Sequence, residues 1–121
     1  MENEGALNSG TVYIVSTPIG NLGDFTQRAV ETLSAVSLIA AEDPRRTRIL
    51  LNRYEIQTQL SSYNSYNKFK KGALFMNRLK KGENIALVSD AGTPGISDPH
   101  YHLVQSALEQ GIAILVLMPI A

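Results

Sequence analysis

The sequence contains no cysteine. A disulfide frame and a thiolate metal site are therefore excluded, and a reducing cytoplasm fits. Long apolar runs are also missing: the longest, IAILVLMPIA (112–121), is too short to span a bilayer and is interrupted by Pro119. The opening MENEGALNSG has neither a basic n-region nor an apolar h-region, so it does not read as a signal peptide. Histidine is scarce. His100 and His102 fall two apart on an expected helix, point to different sides and lack partners at metal-ligand spacing, so both are expected at the surface and no metal is expected. What remains is a chain of 121 residues, enough for one cytoplasmic domain with a real core and no membrane partner.

Net charge is zero, but its distribution is uneven. Residues 45–81 hold ten of the eleven lysines and arginines against one acid, Glu55, a net of +9; the remainder carries −9. Such asymmetry can steer a polyanion to one side of a molecule, and it can equally mark solvated helix faces. The paired KK and RR steps, with almost no interleaved glutamate, leave the two readings level.

Apolar periodicity supplies the elements. TVYIVS (11–16), SLIAA (37–41), TQLSS (58–62), NIALVS (84–89) and IAILVL (112–117) read as strands. Between them lie four helical patterns. Phe25, Ala29, Leu33 and Val36 form the first, with Asp24 and Gln27 offering a capping box. Asp43-Pro44 opens the second as N-cap and first helical residue. Phe69, Ala73, Met76 and Leu79 line the third, which ends near Gly82. Asp98-Pro99 opens the fourth, with Leu103, Val104, Ala107 and Leu108 on one face and Gly111 at its end. This alternation predicts an α/β fold: an open, mostly parallel five-stranded sheet with helices on both faces, over residues 11–121, after a flexible segment 1–10.

The loops STPIGNLGD, EDPRRT, SSYNSYN, SDAGTPGISDP and MPIA then all follow strands and share the carboxyl edge, where open α/β sheets bind ligands. Gly20 and Gly23 allow close backbone approach, although their spacing is not a dinucleotide fingerprint and no P-loop lysine follows. Glu42 and Asp43 could orient a hydroxyl or accept its proton while neighbouring arginines hold phosphate. The structural alternative is a helix cap for Asp43, which is expected, and an arginine partner for Glu42, which stays open. In SDAGTPGISDP, Asp98 suffices as a cap, and the seven residues before it need another reason. Gly92, Thr93, Gly95 and Ser97 would present main-chain groups to a flat polar ligand, with Ile96 as an apolar rest and Asp90 near a ligand cation or capping the turn.

YIVSTPIGNLGD (13–24), LIAAEDPRRT (38–47) and ALVSDAGTPGISDP (86–99), in this order and spacing, closely resemble the amino-terminal half of the ribosomal RNA small subunit methyltransferase I family, within the tetrapyrrole methylase superfamily. The resemblance runs from about residue 11 to 117. It implies two α/β domains with S-adenosylmethionine in the cleft between them, and methylation of a cytidine ribose 2′-hydroxyl in small-subunit (16S) ribosomal RNA. By position it puts Thr93, Ile96, Ser97 and Asp98 beside the donor, joined by Gly92, with Pro18 and Gly20 at the cleft floor. Glu42 and Asp43 become the candidate proton acceptors. Arg45, Arg46, Arg48, Lys68, Lys70 and Lys71 become the candidate RNA contacts, and a homodimer is the expected assembly.

Three departures stand out. SYNSYN (62–67) replaces a histidine-containing SYHEHN, His100 replaces a glycine, and LMPIA replaces a PGPSA-like turn into the second domain. With that domain absent, this chain alone is expected to have little activity. Two alternatives remain: a tetrapyrrole (precorrin/uroporphyrinogen-type) carbon methyltransferase, against which the +9 segment argues, and a non-catalytic binding or dimerisation fragment.

Overall fold

A computed structural model describes residues 9–16, 26–89 and 99–117. Among the described residues nine elements follow one another: β1 (Thr11–Ser16), α1 (Gln27–Ala35), β2 (Leu38–Ala41), α2 (Pro44–Arg53), β3 (Leu60–Ser62), α3 (Lys68–Lys80), β4 (Ile85–Ser89), α4 (Pro99–Glu109) and β5 (Ala113–Leu117). All five expected strands form. The sheet order is β3-β2-β4-β1-β5 and every pair is parallel. No helix among the described residues is long and apolar enough to cross a membrane.

Both faces of the sheet are covered, so the central strands read as unbroken apolar runs rather than alternating ones. Val12, Ile14, Leu38, Ala40, Ile85 and Leu87 pack on one side with Phe75, Met76 and Leu79 of α3 and Leu103 and Ala107 of α4. Val15, Ile39, Ala41, Ala86 and Val88 pack on the other with Ala29 and Leu33 of α1 and Leu50 and Leu51 of α2. Successive strand residues thus serve opposite layers, as the two-residue pleat requires.

The helix starts test the capping assignments. Asp43 caps α2 as expected: its side chain accepts from the Arg45 N–H at 3.1 Å, with Pro44 in the first turn. α1 starts later than the expected box. Its N-cap is Thr26, whose hydroxyl accepts from Ala29 N–H at 3.1 Å, while Gln27 reaches along the helix to Glu31. Asp24 and Phe25 lie outside the described residues, as does Asp98.

Two helix faces differ from their expected phase. In α3 the inward residues are Gly72, Phe75, Met76 and Leu79, whereas Ala73 is exposed and Phe69 is 69% exposed. In α4, Leu103 and Ala107 are buried and Val104 is half-buried, but Leu108 faces outward. Each helix commits a narrow stripe to the sheet, so flanking apolar residues at near-helical spacing turn to its sides.

Three helices end in the same hydrogen-bonded turn, in which two consecutive N–H groups reach back to the last carbonyls. Gly82 and Glu83 bond to Leu79 and Arg78, and Gly111 and Ile112 bond to Leu108 and Ala107. Gly82 and Gly111 both have positive φ, the conformation that the expected glycine stops supply. After α2 the same turn is made by Glu55, at φ 56°, with Ile56 bonding to Leu51. Gly10 is also fixed in place: its N–H donates to Leu79 O at 2.7 Å, and a Cβ there would lie 1.7 Å from Glu83 O.

Candidate functional site

The parallel order puts every strand's carboxyl end on one rim. Ala41 is in register with both Ser62 and Val88, and Ser16 with Ser89. β1 and β4 are neighbours, yet the helices that follow them, α1 and α4, cover opposite faces. In open parallel sheets the carboxyl edge beside such a pair of strands is the usual ligand position. The residues expected at the donor (Pro18, Gly20, Gly92, Thr93, Ile96, Ser97 and Asp98) lie outside the described residues.

Glu42 and Asp43 follow β2, which borders β4 on its other side. The two carboxylates differ in their commitments. Asp43 caps α2 and also accepts from the Arg45 guanidinium, at 3.2 Å from Nε and 3.4 Å from the terminal nitrogen. That side-chain hydrogen bond is the main cause holding the Asp43 carboxyl below its ordinary range, and it raises the Arg45 guanidinium in turn. Glu42 is exposed and makes no hydrogen bond or ion pair among the described residues. Thr47, one turn into α2, is buried and helps seat the helix on the sheet.

The basic segment does not form a single face. α2 shares its layer with α1, whereas α3 lies on the opposite side with α4, so the cations wrap around the β3 edge. Their helical positions still gather six of them at the rim. Arg45, Arg46 and Arg48 occupy the first turns of α2, all exposed; Lys68, Lys70 and Lys71 occupy the first turn of α3. Lys71 Nζ donates to Ser61 Oγ of β3 at 2.8 Å, and Lys68 Nζ sits 5.3 Å from the Phe69 ring centroid. Below Lys71, between α3 and the β3 edge, a groove of about 400 Å³ continues past Ser61, Arg78 and Lys81.

SYNSYN builds the turn between β3 and α3. Tyr63 is buried, its ring 5.4 Å from that of Phe75. Asn64 Oδ1 accepts from the N–H groups of Tyr66 and Asn67, and Asn67 Oδ1 accepts from Asn64 N–H. Tyr66 is left 99% exposed. Sequence reasoning passed over Tyr66 and assigned Phe69 to the core; the signal available was their place inside the most basic stretch of the chain.

The family model for Tetrapyrrole (Corrin/Porphyrin) Methylases matches residues 11–117. Among curated relatives, the chain is 51% identical over 117 residues to "Ribosomal RNA small subunit methyltransferase I" of Escherichia coli O157:H7, covering 96% of this chain and 41% of that protein. It is 53% identical over 108 residues to the protein of that name from Halalkalibacterium halodurans, covering 89% and 37%. The chain therefore spans about two fifths of the length of these relatives. Among solved structures, uroporphyrin III C-methyl transferase from Thermus thermophilus matches with a TM-score of 0.68 at 16% identity, covering 93% of this chain and 49% of that one. A putative cobalamin synthesis related protein (CobF) from Corynebacterium diphtheriae also gives 0.68, at 13% identity, covering 93% and 54%. At such identities these two speak for the fold alone. With a family model running from the first strand to the last, the chain belongs to the tetrapyrrole (corrin/porphyrin) methylases.

Proposed function

We propose that this chain is the amino-terminal lobe of an S-adenosylmethionine-dependent methyltransferase that modifies a cytidine ribose 2′-hydroxyl in small-subunit ribosomal RNA. The observation that carries the reading is the shared name of relatives about half identical over most of the chain. The rim adds chemical support, because carboxylates and arginines meet at the carboxyl end of β2, next to β4. The second wall of the donor cleft would come from the part of the relatives that this chain does not span, so the chain alone has little activity. Assembly as a cytoplasmic homodimer belongs to the same proposal.

S-adenosylmethionine supplies an electrophilic methyl group on a sulfonium. The proposal places it at the carboxyl edge next to β1 and β4, with Pro18, Gly20, Gly92, Thr93, Ile96, Ser97 and Asp98 as its contacts. The chain's own task is then to position the acceptor hydroxyl and take up its proton. Glu42 is the better acceptor of the two carboxylates, since its oxygens are uncommitted among the described residues. Asp43 is already engaged by the helix terminus and Arg45, which weakens it as a base. Arg45, Arg46, Arg48, Lys68, Lys70 and Lys71 hold phosphates on both sides of the β3 end.

The test is methyl transfer to small-subunit RNA by the two-domain protein. E42Q is expected to slow transfer by about 100-fold or more while donor affinity by calorimetry stays unchanged. Normal turnover by both E42Q and D43N removes the carboxylate assignment. Weak dependence of RNA binding on salt removes the phosphate contacts.

A further inference from the structure

We infer that Tyr66 and Phe69 form a base-stacking platform for single-stranded RNA at the start of α3. The inference rests on the ribosomal RNA reading above and names which form of RNA this surface takes.

Two large aromatic side chains three residues apart stand in solvent, Tyr66 at 99% and Phe69 at 69% exposure. Phe69 is held there: its ring meets that of His102 of α4 at 4.9 Å and 78°, at the margin of the buried stripe of α3. Tyr66 rides on an ordered turn, because Asn64 Oδ1 accepts its N–H at 2.9 Å and Asn67 Nδ2 ties the turn to Ser62 Oγ at 3.1 Å. Both rings are therefore offered from a backbone that needs no reordering on binding.

The surroundings choose the occupant. No acid occurs between Glu55 and Glu83, and Lys68, Lys70 and Lys71 flank the rings. The first turn of α3 has no acidic residue and the side chain of its N-cap, Asn67, accepts from none of the helix's own N–H groups, so the positive end of the helix is not offset locally. Protein-binding surfaces are depleted in lysine at their centres. Aromatic faces set among cations are instead the surface that unpaired nucleotides use, with bases on the rings and phosphates on the charges. A duplex hides its base faces and gains nothing from the rings.

Fluorescence anisotropy of a labelled 12-nucleotide oligoadenylate, against a 12-base-pair RNA duplex, tests this on the 121-residue chain. Y66A and F69L are each expected to weaken single-strand binding about fivefold or more and to leave duplex binding unchanged; Y66F retains binding. F69L keeps apolar bulk against His102, and circular dichroism confirms that each variant is folded. If wild type binds both RNAs and Y66A and F69L match it, the platform is wrong while the RNA reading stands. If wild type binds neither RNA at low salt, both fall. If sedimentation shows that the two variants abolish a dimer and leave oligoadenylate affinity intact, the rings serve a second copy of the chain and the inference is overturned.

Discussion

Asn64 and Asn67 cap one another across the turn into α3: Asn67 Oδ1 accepts from Asn64 N–H at 2.8 Å, and Asn64 Oδ1 accepts from Asn67 N–H at 3.2 Å. Asn64 Oδ1 also takes the Tyr66 N–H. The Asn64 and Tyr66 N–H groups, which find no backbone partner among the described residues, are thereby satisfied, while Asn67 N–H also reaches Asn64 O at 3.2 Å. Replacing Asn64 with alanine strands the Tyr66 N–H and removes one of the two acceptors of Asn67 N–H, and should cost about 1 kcal/mol in urea unfolding, whereas Asn64→Asp, which keeps the acceptor, should cost less. Equal losses in the two variants would show that the side-chain oxygen is not what holds the turn.

Asp43 gives the pH dependence. Its folded-state carboxyl sits below its ordinary range, chiefly through the Arg45 hydrogen bond. The unfolded chain therefore binds this proton first as pH falls. The contribution to stability is fully present above the ordinary carboxylate range and is lost as pH falls through the lower folded value. Thermal melts of wild type and D43N should thus differ by a few degrees at neutral pH and converge in acid. Because the group is exposed, added salt should shrink the neutral-pH difference.

Glu55 occupies the left-handed position after α2 that glycine fills after α3 and α4. A side chain there is crowded against its own backbone, and glycine removes the crowding at the cost of a freer unfolded state. Glu55→Gly is expected to raise the unfolding free energy by about 0.5–1 kcal/mol, read from the urea midpoint at unchanged slope. A fall in the midpoint would contradict the assigned conformation.

Gly10 sits where β1 passes the turn before β4, and an added Cβ would overlap the Glu83 carbonyl. Gly10→Ala must push the two backbones apart at the entry to the sheet, with an expected loss of about 2 kcal/mol or more. A wild-type urea midpoint would mean that the entry to β1 yields freely.

The strands, the Asp43 cap and the glycine stops at Gly82 and Gly111 were legible because each has a local cause: apolar runs, an Asx acceptor before proline, a residue without Cβ. The phase of α3 was not. Its spacing admits Phe69 and Ala73 as readily as Phe75, and one inward position is Gly72, which carries no hydrophobic signal. A Cβ on Gly72 would stand 3.6 Å from both Tyr63 and His102, an ordinary contact distance, so the position is an inward one that its residue type does not announce. For α1 the expected cap is Asp24, and the geometry puts Thr26 in that place.

The rim itself followed from the alternation of strands and helices, which places every βα loop on the same edge. How the +9 segment is arranged did not follow. A charge count along the chain ignores which layer each crossover takes, and here β2→α2→β3 and β3→α3→β4 take opposite ones. Tyr66 escaped notice for a related reason, since a side chain that packs against nothing leaves no periodic trace.

The pairing of β1 with β4 and β5 has a consequence for biosynthesis. Val12 finds its partner Ile85, and Thr11 its partner Ala113, only far along the chain, so β1 waits until β4 and β5 have been made. Closing so long an interval before any sheet contact forms makes maturation slow, and the nascent polypeptide must keep an adhesive VYIV stretch from seeking neighbours on other ribosomes.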